Sequence, residues 1–317
     1  MRVLSRIATG VLLAAAMTVP AFAQQLSIIA PAGPGGGWDQ TARSLQTALQ
    51  TEKLATNVQV TNIPGAGGTI GLAQFVSQHK GDANALIVGG YVMVGAILTN
   101  NSPVKLDQVT PIARLTGEYE AIVVPASSPI QTIGDLIAQL KADPGTVSWG
   151  GGSAGGTDHI TVGLIAKASG VDPTKINYIP FSGGGEALAA IVGGKVTAGI
   201  SGYGEFEQQV KAGKLRVLAV SAPEKQANID APTLKESGVE VEVQNWRGIW
   251  AAPGITPEQQ ASLIETIEKT AKSKTWQDTL AAKGWADTFL AGPAFAEVLT
   301  KEIEQTTTIL KDIGLVK

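Results

Sequence analysis

Cysteine is absent from all 317 residues, histidine occurs twice, and aromatic residues make up only 5% of the chain. Each shortage removes a class of chemistry. Without cysteine there is no disulfide, and no acylated cysteine to anchor the chain to a membrane. Two isolated histidines, His79 and His159, cannot build a zinc site, no acidic loop has calcium spacing, and no metal is expected. No G-x-x-x-x-G-K-[ST] segment exists, which excludes a nucleotide-hydrolysing loop of that type. An excess of basic charge is also missing, at 24 Lys and Arg against 27 Asp and Glu. Neither nucleic acid nor an anionic membrane is therefore an expected partner.

Long apolar runs are equally scarce. Arg2 and Arg6 precede an apolar stretch from Gly10 to Val19, and Ala21, Phe22 and Ala23 form an A-x-A site. This reads as a leader over residues 1–23, cleaved after Ala23, and implies a periplasmic protein. Its apolar part is too short for a spanning helix of about 20 residues. Loss of both arginines takes the formal charge from −3 to −5. The remaining length suits two domains better than one core.

Glycine, by contrast, is plentiful, and it is clustered. Residues 31–39 (PAGPGGGWD) and 150–158 (GGGSAGGTD) each follow a short apolar run and precede helical periodicity. A strand, a bare loop and a helix N-terminus together present unpaired N–H groups, and the helix dipole favours negative charge there. Two such cups point to a small anion held between two domains.

The alternation of apolar runs and helical periods continues along the chain, the α/β pattern. It predicts strands over 26–30, 58–62, 85–89, 121–124, 146–149, 176–179, 196–200 and 215–220. Helices are expected over 38–50, 68–77, 132–141, 158–168, 184–192 and 205–212. A later helix is capped by Thr256, Pro257 and Gln259, with Ala261, Leu263, Ile264 and Ile267 on its apolar face. A last helix starts at Pro293. Residues 114–120 read as a polar crossing and 239–248 as the return. That division gives a discontinuous first domain, 24–116 plus 245–317, with a second, 117–244, inserted between.

The loops supply the candidate site residues. In the first, Gly35, Gly36 and Gly37 let backbone approach a ligand. Asp39 either caps the helix and pairs with Arg43 or faces the ligand, and Trp38 is a pocket wall or a packing residue. Residues 62–71 read as a further strand-to-helix turn, with Gly67 either in a purely structural turn or at the pocket edge; Ile70 breaks the dinucleotide fingerprint. Residues 151–155 match G-x-S-x-G, so a serine hydrolase using Ser153 is the rival reading. That elbow needs a late histidine, and none follows His159. Ser153 then reads as a hydroxyl donor beside the amides of Gly152, Ala154 and Gly155. Thr157 or Asp158 would cap the helix, and His159 would donate to a carboxylate or serve the core. Ser182 and Gly183 repeat the device, and Tyr91 and Tyr203 are candidate phenols.

Taken in order, these segments resemble the Bug-type receptors, the extracytoplasmic solute-binding component of tripartite tricarboxylate transporters. The matching stretches are 31–43, 62–68, 150–159, 178–186, 212–220 and 309–315. The resemblance implies a two-domain Venus flytrap of the periplasmic-binding-protein type, with a mixed sheet in each domain. It also implies a small di- or tricarboxylate ligand, citrate-like, bridged by the facing loops and delivered to inner-membrane permease subunits. By the same resemblance Gly35, Gly36, Asp39, Ser153, Thr157, His159, Ser182 and Gly183 contact the ligand. No enzymatic activity and no cofactor are expected, and the protein would be a monomer. A sensor input without transport is a third reading. This chain has Thr157 and Asp158 where many members have serine and proline. It has Thr197 where many have aspartate, and it departs from them again at Gly204 and Glu205.

Overall fold

The structure, a computed structural model, describes residues 24–181 and 184–317. The expected leader with its cleavage site, and the expected donors Ser182 and Gly183, lie outside the described residues. Ten strands are present among the described residues. They are β1 (Gln24–Ala30), β2 (Ala55–Asn62), β3 (Ala85–Gly90), β4 (Thr110–Pro125), β5 (Ser148–Gly151), β6 (Asn177–Pro180), β7 (Ala198–Gly202), β8 (Leu215–Val220), β9 (Gln244–Ala251) and β10 (Ala286–Ala291). The helices are α1 (Gly37–Thr51), α2 (Thr69–Gln78), α3 (Tyr91–Thr99), α4 (Ile133–Ala142), α5 (Thr157–Ala168), α6 (Gly184–Val192), α7 (Tyr203–Lys211), α8 (Pro257–Ala271), α9 (Lys274–Lys283) and α10 (Gly292–Asp312).

The strands form one mixed, curled sheet in the order β2-β1-β3-β9-β4-β7-β5-β6, with β8 and β10 also paired to β4. Parallel pairs β1–β2 and β1–β3 lie at one end, and parallel pairs β5–β6 and β5–β7 at the other. Each is joined through helices, as parallel neighbours must be. Strand β4 links the two. Its residues up to Tyr119 pair antiparallel with β9 and β10, and from Glu120 onward it pairs with β7 and β8.

Residues 114–120 are thus strand rather than the polar crossing expected from their composition. Thr116, Glu118 and Glu120 are buried there, and partners from distant segments meet this stretch of strand. The Thr116 hydroxyl donates to the Ala286 carbonyl at 2.9 Å. The Glu120 amide donates to Ser221 Oγ at 2.9 Å, and that hydroxyl donates to the Val243 carbonyl at 2.6 Å. An alternating strand pattern is disguised by partners that arrive from β9, β10 and the segment after β8.

Helix α8 begins as expected. Thr256 Oγ1 accepts from the Gln259 amide, and Gln259 Oε1 accepts from the Thr256 amide at 2.8 Å. Leu263 and Ile267 are buried, but Ala261 is exposed and lies off the apolar face. Helix α10 packs Phe295 against Trp246 and Trp250 of β9, at ring distances of 6.1 and 5.4 Å. The C-terminal helix is thereby fixed to the sheet that carries the first glycine loop.

Candidate functional site

The glycine loop after β1 delivers the start of α1. Gly36 is the N-cap, so Asp39 does not hold the capping position considered for it; it lies in the first turn. Its carboxylate accepts from the Gly35 amide at 2.9 Å, Arg43 Nε at 2.9 Å and Asn62 Nδ2 at 2.8 Å. Burial alone would raise the Asp39 pKa, but Arg43, the Gly35 amide and Asn62 outweigh it and hold the carboxyl below its ordinary range. Asp39 is the clamp of this loop. Gly37 is a position where glycine is required by space. A Cβ there would sit 2.3 Å from Arg247 Nη2, so only a bare backbone lets that guanidinium lie against the helix start.

The loop between β5 and α5 is braced differently. Gly156 is the N-cap of α5, and neither Thr157 nor Asp158 fills that position. Asp158 Oδ2 instead accepts from the Gly152 amide at 2.6 Å. The Tyr178 hydroxyl donates to the Gly152 carbonyl at 2.8 Å, and the His159 ring stacks on Tyr178 at 4.1 Å. His159 Nδ1 accepts from the Gly155 amide at 3.2 Å, and burial lowers the imidazole pKa to about 4. This neutral ring is an internal support of the loop. It is not placed as a base for Ser153.

The two loops face one another across a cavity of about 90 Å³, large enough for several water-sized groups. Among the expected site residues, Gly36, Gly37, Trp38, Gly67, Gly152, Ser153 and Thr157 line it. Gly35, Asp39, Ala154, Gly155 and His159 are not in its lining; they belong to the same loops and shape them from behind. Tyr91 begins α3, is buried, and meets Thr306 of α10. Tyr203 is buried in a separate apolar cluster with Phe206 and Ile229. Neither phenol reaches the cavity.

Residues that sequence reasoning missed complete the lining, chief among them Asp158, Ser201, Glu205, Asn245 and Arg247. Their signal was present as charge inside otherwise apolar strands: Glu118 and Glu120 in β4, Arg247 in β9. A charge at a buried strand position demands a partner. Arg247 forms an ion pair with Glu118, both almost wholly buried. Its guanidinium also lies 5.1 Å from the Trp285 ring centre, and burial lowers its pKa to about 9.

Three carboxyls gather beside that pair. Glu120 is pushed well above its ordinary pKa, first by burial and then by Asp158 and Glu205. Asp158 is raised to about 6 by burial. Glu205 is raised to about 7 by burial and by Asp158, with Ser201 and the Gly37 backbone pulling the other way. Gly37 at the start of α1 and Glu205 in the first turn of α7 both line the cavity. A carboxyl with a raised folded pKa binds extra protons in the native state. Its stabilising effect is full below the unfolded value, near 4.5, and disappears as pH rises through the folded value. His159 acts oppositely, but only below about 6.5. Stability should therefore fall by about 1–2 kcal/mol between pH 6.5 and 8, and Glu205→Gln should flatten that slope. Urea midpoints across this range measure it; a flat wild-type profile would contradict the raised values.

A mixed α/β sheet with glycine loops from its two ends meeting over one cavity defines a periplasmic-binding-protein fold. The TctC description, "Tripartite tricarboxylate transporter family receptor", matches residues 41–315, and the chain belongs to that family. It is a family of binding receptors, not of enzymes. BugT of Bordetella pertussis is 27% identical over 298 residues, covering 92% of this chain and 90% of BugT. Among solved structures, the periplasmic binding protein BugD superposes with a TM-score of 0.82 at 23% identity, covering 93% of this chain and 99% of BugD. MatC of Rhodopseudomonas palustris, solved with bound malate, superposes with a TM-score of 0.79 at 22% identity, covering 92% of this chain and all of MatC.

Proposed function

We propose that this protein captures a small di- or tricarboxylate, up to the size of citrate, between two lobes and hands it to a membrane permease. The lobes would be residues 24–116 with 245–317, and residues 117–244. The observation that carries the reading is the cavity lined from both sides by the first turns of α1 and α5. First-turn amides have no partner within their own helix and suit an anion. The hydroxyls of Ser153 and Thr157 add donors, and each charge-assisted bond contributes about 1.5–3 kcal/mol net. Contacts from both lobes favour the closed form when ligand is present. Malate bound to the similarly folded MatC supports a carboxylate. A periplasmic location, after removal of residues 1–23, follows the same reading, as does a monomeric state.

A thermal-shift screen of organic acids tests it. A ligand at 100 times its dissociation constant should add about 2.7 kcal/mol to native stability. Stabilisation by a neutral sugar or a simple amine, with no response to any carboxylate, would refute the assignment.

A further inference from the structure

The cavity that offers donors to a carboxylate also offers acceptors, and these are unusual in a site for a polyanion. Asp158 and Glu205 both line it. Two more buried polar groups in the lining have no hydrogen-bond partner among the described residues: the Asn245 side-chain oxygen and the Thr157 hydroxyl. Asn245 is 8% exposed and Thr157 is fully buried. The side-chain oxygen of Asn245 can only accept, and it stands buried without a donor. A buried acceptor without a donor costs about 1–3 kcal/mol, so a ligand that supplies one is favoured over a ligand that does not.

Building on the carboxylate-receptor reading, the geometry points to a ligand that carries a hydrogen-bond donor, a hydroxyl or an ammonium, beside its carboxylate. Asp158, Glu205 and Asn245 are the specificity-determining residues that receive it. One end of such a ligand takes the first-turn amides and hydroxyls, while its donor meets the acidic wall. A plain dicarboxylate brings no donor for the Asn245 oxygen or for the carboxylates of Asp158 and Glu205. Discrimination by a site of this kind works through its own unpaired groups, and so exceeds what a missing atom alone would cause. The Gly152 amide already donates to Asp158. That tempers the effect on this acid without touching Glu205 or Asn245.

Titration calorimetry with matched acids at pH 7.5 provides the test. L-malate and L-aspartate differ from succinate only by the added hydroxyl or ammonium. At least one of them should bind on the order of 10-fold or more tightly than succinate. Glu205→Gln and, separately, Asp158→Asn should shrink that ratio, and either variant suffices if the other fails to fold. Succinate binding as well as both donor-bearing acids would overturn the inference while leaving a carboxylate receptor intact. An undiminished ratio in both variants would remove these residues from the role. If no carboxylate binds the wild type at all, the functional reading itself falls, and the inference with it.

Discussion

Arg247→Met should destabilise the protein by about 3–5 kcal/mol, because it leaves the Glu118 carboxylate buried without its cation. Arg247 is 2% exposed and Glu118 5%, so water cannot replace the lost partner without opening the structure. The same change removes the guanidinium from the Trp285 face and from the backbone at Gly37. Pairing it with Glu118→Gln should recover a large part of the loss, since a neutral amide is far easier to bury than a charge. Urea unfolding of the two single variants and the double variant makes a cycle that isolates the pair. A loss below about 1 kcal/mol for Arg247→Met would show that the charge is solvated.

Gly95→Ala should weaken ligand binding on the order of 100-fold while leaving the unliganded fold intact, a difference of about 2.7 kcal/mol. Gly95 lies on α3, and a Cβ there would come within 2.0 Å of the Gly155 carbonyl oxygen in the opposite loop. The atom in the way is backbone, so no rotamer change relieves it. On the two-lobe reading proposed above, the lobes would separate instead, which breaks the juxtaposition a bridging ligand needs. Within α3 itself alanine is the better helix former by about 1 kcal/mol, so the thermal midpoint without ligand should hold or rise. Small-angle scattering should show a larger radius of gyration, and calorimetry the lost affinity. Unchanged affinity would mean that closure does not involve this contact.

Much of the fold is legible locally. The strand at 215–220 and the helix at 184–192 have the expected bounds, and the Thr256–Gln259 capping box forms as its residue types require. These features depend on neighbours within a few positions, where periodicity and capping chemistry act. Helix α3 is harder: YVMVGAILT is apolar on nearly every side, so no face distinguishes helix from buried strand. Strands β9 and β10 and helix α9 are likewise hard to read from the sequence. The polar Gln244 and Asn245 and the charge of Arg247 obscure the strand pattern of β9, and the short α9 buries Trp276 and Leu280.

The candidate site divides along the same line. The chain's own composition and glycine placement determined that helix starts would be presented on bare loops and that the chain supplies no thiol. Those are properties of backbone conformation and of residue types that are simply not there. Only the tertiary structure decided that Asp39 and His159 brace their loops, while Asp158, Glu205, Asn245 and Arg247 line the cavity. The reason is electrostatic and steric. Whether a charge is a buried partner, a loop clamp or a ligand contact depends on which distant strand reaches it and how much water is excluded, and local sequence encodes neither.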